Sequence, residues 1–190
     1  MQVDTRRNFN ELDTRIQAIN NQLMELIAQK YTIGNDQALE QLEQKIRLIL
    51  NELGDLIVAQ KVQQQIDTDE ELYTQSTKLA RASHKSLVNK GRVLVQTRFA
   101  GGTLLPLSVT YWSRKGAAGK RGKGLYPELY ILGIHDHCTP LLASEIAQAS
   151  AALCSLEEAR HMMKARGCSL NIKTIRSITK RFAARARIGQ

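Results

Sequence analysis

Two runs of heptad-spaced apolar residues near the N-terminus constrain the fold of this chain most strongly. The first run comprises Leu12, Ile16, Ile19, Leu23 and Leu26. The second run comprises Leu39, Leu42, Ile46, Ile49, Leu53 and Leu56. Alternating spacings of three and four predict helices that each bury one apolar face. Between the runs stands Thr32-Ile33-Gly34-Asn35, where glycine and asparagine favour a turn. We therefore predict an antiparallel, coiled-coil-like helical hairpin.

Three further features concern the second of these helices. Asp36 stands where it can cap the helix and place negative charge at its positive end. Gly54 costs about 1 kcal/mol relative to alanine inside a helix, which we interpret as a position of close packing. The glutamine-rich stretch 60–65 extends the helical pattern towards residues 67–71. The hairpin is either an arm that makes the protein a homo-oligomer or a local cover over the rest of the chain, because heptads do not report the identity of the partner.

Charge divides the chain into two unequal parts. The 190 residues carry a net charge of +9. Residues 1–77 hold 7 Lys and Arg against 13 Asp and Glu, a net charge of −6, whereas residues 78–190 hold 20 against 5, a net charge of +15. Such asymmetry indicates an arm that contacts protein and a body that contacts a polyanion.

The middle of the chain predicts a short helix near Glu70–Ala82, followed by a β-hairpin. Residues Arg92–Phe99 are rich in β-branched side chains and predict a strand. Gly101-Gly102 supplies the turn, and Thr103–Trp112 returns as the second strand. Pro106 has no backbone donor, which places it at a sheet edge.

A glycine-rich cationic segment, Ser113–Gly124, follows the hairpin. Its five cations are Arg114, Lys115, Lys120, Arg121 and Lys123. The segment is not a nucleotide-binding P-loop, because five residues rather than four separate Gly116 from Gly122 and no Ser or Thr follows the last lysine. It fits a loop that contacts a nucleic-acid backbone, the alternative being a solvated linker.

The C-terminal third predicts three helices. Thr139-Pro140 provides a cap and a first-turn proline for one helix, and Ser155-x-x-Glu158 is a capping box for the next. Gly167 is a natural C-terminal stop. A third helix is expected from Ser169 or Asn171 to about Arg187. This order is that of a helix-turn-helix DNA-binding unit.

The third helix has one apolar and one cationic face. We expect its apolar face to comprise Ile172, Ile175, Ile178 or Thr179, Phe182 and Ala186. Candidate contacts to DNA bases or phosphates at its leading end are Asn171, Lys173, Thr174, Arg176 and Ser177. Candidate phosphate contacts at its distal end are Lys180, Arg181, Arg185 and Arg187. The alternative is a solvated helix of a plain bundle.

We expect no metal, cofactor, small-molecule ligand or catalytic site. The cluster His135-Asp136-His137-Cys138 lacks the second ligand pair of a zinc site. The odd set of cysteines, Cys138, Cys154 and Cys168, has no disulfide pattern. With no membrane-spanning stretch or signal peptide, we expect a cytoplasmic protein that joins the nucleoid when bound to DNA.

Several short motifs resemble one protein family. They are Gly122-Lys-Gly-Leu-Tyr-Pro-Glu-Leu-Tyr-Ile-Leu-Gly-Ile134, Thr139-Pro-Leu-Leu-Ala-Ser-Glu145, Ser155-Leu-Glu-Glu-Ala-Arg160, Gly167 and Lys173-Thr-Ile-Arg176. Together they resemble the region before the catalytic core in certain bacterial insertion-sequence transposases of the DDE kind. The resemblance is strongest from about Arg92 to Arg187, and its motifs contain no catalytic signature. It implies recognition and pairing of the ends of a transposable element.

The resemblance places an RNase H-like core with its Asp, Asp and Glu after Gln190. We therefore expect a DNA-binding portion without its own catalytic core: a truncated element, one frame of a split gene or an accessory product. The alternatives are a stand-alone helix-turn-helix regulator and a basic protein that binds RNA or the ribosome without sequence preference.

The complete expectation is a mainly α fold with a small β-hairpin, in three parts. Residues 1–77 form the acidic helical hairpin and oligomerisation arm. Residues 78–124 form the β-hairpin and basic loop. Residues 125–190 form the helix-turn-helix region that binds double-stranded DNA.

Overall fold

The computed structural model describes residues 5–30, 36–83, 87–114 and 124–188. These residues form seven helices and one two-stranded antiparallel sheet, so the mainly helical class with a small β-hairpin is confirmed. The elements are α1 (Thr5–Ala28), α2 (Asp36–Thr68), α3 (Glu70–Ser83), β1 (Leu87–Arg98), β2 (Leu104–Arg114), α4 (Pro127–Ile131), α5 (Pro140–Ala152), α6 (Leu156–Ala165) and α7 (Ile172–Ile188).

Helices α1 and α2 pack against each other through their heptad residues. In the first run Leu12, Ile19 and Leu26 are buried, and in the second Leu56 is fully buried. Arg15 and Glu52 form an ion pair of 3.0 Å between the two helices. The predicted turn, residues 32–35, and the side chain of Asp36 lie outside the described residues. The buried members of the seam are thus packed within one chain, whereas Leu39 of the second run is exposed.

The β-hairpin begins earlier than predicted. Strand β1 starts at Leu87 rather than Arg92, because an irregularity between Asn89 and Arg92 lets the ladder continue past Gly91. There Gly91 has a φ of +88°, and its N–H donates to the Asn89 side chain at 2.7 Å. On both strands every second side chain then enters the core: Val95 and Thr97 on β1, and Leu105, Leu107 and Val109 on β2.

Two polar side chains of α2 fasten the hairpin to the helix. Gln63 is fully buried, and its amide bonds the backbone of Ser108 twice, accepting from the N–H at 2.7 Å and donating to the carbonyl at 3.2 Å. Eight residues earlier, the buried carboxylate of Asp55 accepts the N–H groups of Gly101 and Thr103 at 2.8 and 2.9 Å. Eight residues are about two helical turns, so both side chains lie on one face of α2.

The hairpin tip also meets the turn between α6 and α7. Gly102, at φ +95°, lies so close to Gly167, at φ +91°, that a Cβ on Gly102 would stand 2.5 Å from the Gly167 carbonyl oxygen. A second Cβ, on Gly101, would stand 2.7 Å from the Asn51 carbonyl oxygen. Glycine is therefore required where α2, the hairpin and the α6–α7 turn converge.

Two hydrophobic clusters divide the core. The first joins the arm, the hairpin and α4, with Leu12, Leu56, Phe99 and Leu107 among its buried members. The second joins α5, α6 and α7; its buried members are Cys138, Leu142, Ala143, Ile146, Met163, Cys168, Ile175 and Ile178. The first cluster spans the expected boundary between residues 77 and 78, which lies inside the continuous helix α3.

The predicted N-caps of α5 and α6 differ in whether the capping hydrogen bond forms. Thr139 and Pro140 stand at the N-cap and first position of α5, but the Thr139 hydroxyl makes no capping bond. The Ser155 hydroxyl accepts the Glu158 N–H at 3.1 Å, and the Glu158 carboxylate accepts the Cys154 N–H at 3.1 Å. The capping box of α6 is therefore confirmed.

The expectation of close packing at Gly54 is wrong within the chain. Gly54 is exposed, and a Cβ built on it would have nothing within 4 Å among the atoms of the structure. The packing of this chain therefore gives no reason for the helix to carry glycine at this position.

Replacing Asp55 tests how far the fold depends on the hairpin tip. Asp55→Ala removes the acceptor for two N–H groups, and each unsatisfied donor costs about 1–3 kcal/mol. We expect a loss of about 2–4 kcal/mol in the free energy of unfolding, measured by urea denaturation. The matched control is Asp13→Ala, an exposed aspartate whose side-chain hydrogen bonds are 3.4 and 3.5 Å long. A loss at Asp55 no larger than at Asp13 would contradict this account.

Candidate nucleic-acid interface

Helix α7 begins at an asparagine cap and packs on one face. The Asn171 Oδ1 accepts the Thr174 N–H at 2.7 Å, so this candidate base contact is also the N-cap of the helix. Ile175 and Ile178 are 0% and 2% exposed, and Phe182 is half-buried. Ala186, expected on the same face, is exposed, so the buried face ends about one turn earlier than predicted.

Four cations form a basic stripe on the opposite face of α7: Lys173, Arg176, Lys180 and Arg187. All four are exposed, and none has a carboxylate oxygen of the described residues within ion-pair distance. Fourteen residues at 1.5 Å each make the stripe about 21 Å long. Thr174 and Ser177, also expected at the leading end, are half-buried beside it. The stripe is thus a continuous positive surface without internal neutralisation.

The two remaining arginines of α7 lie on its flank. Arg181 forms an ion pair with Asp136. Arg185 is half-buried, close enough to His135 for its charge to act on the imidazole. Burial, followed by the charge of Arg185, lowers the pKa of His135 below its usual value, so this histidine is neutral near pH 7. The helical pattern placed all six cations on one face, whereas the structure separates four outward cations from Arg181 and Arg185, which lie beside His135 and Asp136.

The loop that carries Asp136 is held in an unusual backbone conformation. Asp136 and His137 have φ values of +55° and +60°, a region that costs roughly 1–2 kcal/mol per non-glycine residue. The end of β1 holds the loop in place: the Arg98 N–H donates to the His137 carbonyl at 2.7 Å, and the Arg98 carbonyl accepts the Thr139 N–H at 3.0 Å. The hairpin thereby positions the carboxylate that contacts Arg181.

The basic loop is anchored at both of its ends. Trp112 and Leu125 exchange two backbone hydrogen bonds of 3.0 and 2.9 Å, which bring the residues before and after the loop together. Arg114, the last residue of β2, is exposed. The other four candidate cations, Lys115, Lys120, Arg121 and Lys123, lie outside the described residues.

A shallow depression connects the loop end to the flank of α7. It has a volume of about 170 Å³ and extends from Gly124 to the segment His135–His137. The exposed ring of Tyr130, on the unpredicted short helix α4, meets His135 edge-on with the ring centres 5.1 Å apart. An exposed aromatic ring therefore lies beside the segment that contacts Arg181.

Two residues beside the cationic face of α7, Asp136 and Arg166, were not predicted from the sequence. Asp136 was considered only as a metal ligand, and its contact with Arg181 spans 45 residues, a separation that local patterns do not report. Arg166, in the turn before α7, is exposed and 3.8 Å from Glu145. In the sequence, the one indication of this role is that Arg166 is a cation directly before a basic helix.

The described histidine and cysteine side chains form no metal site. Within the described ranges, no three His, Cys, Asp or Glu side chains are arranged so that they could hold a metal ion. Cys138 and Cys168 are buried free thiols, whereas Cys154 is exposed. Burial raises the pKa of Cys138 to about 11 and also raises the pKa of Cys168.

No family model, curated protein or solved structure matches this chain. In the part of the chain that the structure describes, every helix is too short or too polar to cross a membrane.

The cysteines provide a chemical test of the arrangement. With a raised pKa and a buried sulfur, Cys138 and Cys168 form little thiolate at pH 8, while Cys154 is accessible. We expect iodoacetamide to alkylate one cysteine rapidly in the folded protein and three in urea, as counted by mass spectrometry. In Cys154→Ser the rapid reaction should vanish. Rapid labelling of Cys138 in the folded chain would contradict the burial described above.

Proposed function

We propose that this chain binds double-stranded DNA through the basic stripe of α7, as the end-recognition portion of an insertion-sequence transposase. One observation carries the DNA-binding part. Lys173, Arg176, Lys180 and Arg187 are exposed along one face, without carboxylates beside them, while the other face of the helix is fixed in a core. A rigid cationic helix about 10–12 Å wide has the dimensions of the major groove.

In this proposal α5, α6 and α7 act as a helix-turn-helix unit. Helices α5 and α6 share a buried cluster with α7, which includes Ile146, Met163 and Ile175, so they hold α7 from behind. Ser150 and Thr179 add a hydroxyl contact of 3.0 Å between α5 and α7. Arg176 stands in the second turn, where a recognition helix presents its base contacts, and the later cations of the stripe neutralise phosphates.

The flank of α7 supplies a second group of phosphate contacts. Arg181 is 62% exposed despite its ion pair with Asp136, so its guanidinium retains donors for a phosphate. Gly124, at the end of the basic loop, lines the depression beside this flank. In this proposal the cations of the loop add further phosphate contacts.

Recognition of transposon ends rests on the resemblance of the motifs. The two rivals make different demands on the same surface. A regulator prefers a palindrome with half-sites one or more helical turns apart. A protein that binds RNA or the ribosome non-specifically binds any strand, with an affinity set by charge.

Substitution of two stripe cations tests the contact surface. The double variant Arg176→Ala/Lys180→Ala should weaken binding of the full chain to a duplex roughly tenfold, because two phosphate or base contacts are lost. The slope of log K against log salt should fall by about 2, in fluorescence anisotropy over a salt series.

The matched control is Lys45→Ala/Arg81→Ala, which removes the same charge from exposed positions on α2 and α3. It should leave the slope within experimental error of the unmodified chain. Equal losses in the two double variants would show that net charge, not the stripe, determines binding.

Sequence preference distinguishes the transposase proposal from its rivals. The probes are a duplex with the terminal repeat that flanks the gene, a palindromic rearrangement of it, a scrambled duplex and an RNA of the same length. We expect a preference of about 10³ for the repeat over the scrambled duplex. Equal affinity for all four probes would refute end recognition, and preference for the palindrome would favour a regulator.

A further inference from the structure

The arm exposes more apolar surface than the rest of the described chain. Of the twelve large apolar side chains that are most exposed in the described ranges, seven lie on α1 and α2. On α2, an apolar stripe runs along one side of the helix and comprises Leu39, Ile46, Leu50, Gly54 and Ile57. Leu39, Leu50 and Ile57 are 41%, 49% and 43% exposed. A continuous apolar row on a helix that otherwise carries polar residues indicates a contact surface.

Gly54 lies within this stripe and has no function inside the chain. It costs roughly 1 kcal/mol relative to alanine in the middle of a 33-residue helix, and a Cβ there would touch nothing. Leu50 and Ile57 lie one turn before and after it on the same side. A glycine between two exposed apolar side chains allows a second helix to approach closely.

The charges beside the stripe select the direction of that second helix. Glu43, Arg47 and Lys61 are exposed, and none has an ion-pair partner among the described residues. A parallel, in-register second copy would place each charge opposite itself. An antiparallel copy centred on residue 54 would place Arg47 opposite Lys61. Both arrangements are repulsive.

An antiparallel copy centred on residue 52 removes the conflict. Leu50 then lies opposite Gly54, and Glu43 lies opposite Lys61, twice each by symmetry. Ile57 and Val58 of the second copy face the depression of about 450 Å³ that Glu43, Ile46, Arg47, Leu50 and Asn51 line on the first. Arg47 meets Ile57, so its aliphatic stem packs while its charge remains in water.

We propose that two copies of this chain associate through the apolar stripe of α2, antiparallel, with Leu50 of each copy against Gly54 of the other. The contact is isologous, because the same patch serves both copies. Two opposite-charge pairs, Glu43 with Lys61, set the register. This interface gives a place and a register to the oligomerisation expected of the helical hairpin, and its test uses no DNA, so this proposal and the proposed function can fail separately.

A charge exchange tests the register. In Lys61→Glu and in Glu43→Lys, two symmetry-related attractive pairs become repulsive, and we expect the dimer dissociation constant to rise roughly tenfold. The double variant Glu43→Lys/Lys61→Glu restores both pairs with reversed sign and should return the constant to within about threefold of the original. Sedimentation equilibrium at 50 mM salt measures all four proteins. Failure of the double variant to recover would overturn the register.

Two further variants test the packing. Leu50→Glu should abolish the dimer, whereas its control, Leu94→Glu at a position of equal exposure on β1, should leave it intact. Gly54→Ala should weaken the dimer at least tenfold while raising the unfolding midpoint of the monomer, since alanine is the better helix former. If Gly54 affected only the stability of the helix, Gly54→Ala would shift only the unfolding midpoint. A chain that stays monomeric at 100 µM, or dimers unaffected by Leu50→Glu, would overturn the proposal.

Discussion

The buried carboxylate of Asp55 is the contact on which the arrangement of the three parts depends. It accepts two backbone N–H groups from the hairpin tip, and so fixes the tip to the middle of α2. The same tip holds the His135–Cys138 loop through Arg98 and meets the α6–α7 turn at Gly167. One side chain of the acidic arm therefore positions the scaffold on which the basic helix stands. Buried ionised groups are costly unless they are fully hydrogen-bonded, and here the backbone supplies the donors.

The distribution of charge follows from these contacts of Asp55 and the hairpin. Two acidic residues of α2 are used inside the chain, in the Asp55 contact and in the ion pair of Asp67 with Arg92. The cations of α7 stay outside, except for Arg181 and Arg185 on its flank. The loop that holds Asp136 is itself strained, and the backbone bonds of β1 stabilise it. A positive surface that the fold does not neutralise is consistent with the proposed DNA contact.

The sequence predicted those elements that local patterns determine. The heptads predicted α1 and α2, and the alternation around Gly101-Gly102 predicted the hairpin. Helix α7 begins next to Asn171, one of the two starting residues that the sequence left open. The features that the sequence did not predict depend on contacts between residues that are distant in the sequence. Gln63 belongs to a glutamine-rich stretch that only extends the helical pattern, yet it bonds Ser108 45 residues away. The loop at Asp136 adopts a left-handed backbone conformation that the local pattern does not predict, and backbone hydrogen bonds of Arg98 hold it in place. Ala186 satisfied the helical period but lies beyond the last layer of the core.

The close approach of Gly102 to Gly167 has a consequence for genetic screens of this protein. Neither glycine carries a charge, touches a ligand or lies on a candidate contact surface. Any side chain at Gly102 would nevertheless push the α6–α7 turn away from the hairpin. Saturation mutagenesis scored by the amount of folded protein would therefore single out both positions. The cause would be geometric. Positions that tolerate no substitution include those where two backbone segments must touch, and not only those that contact a partner.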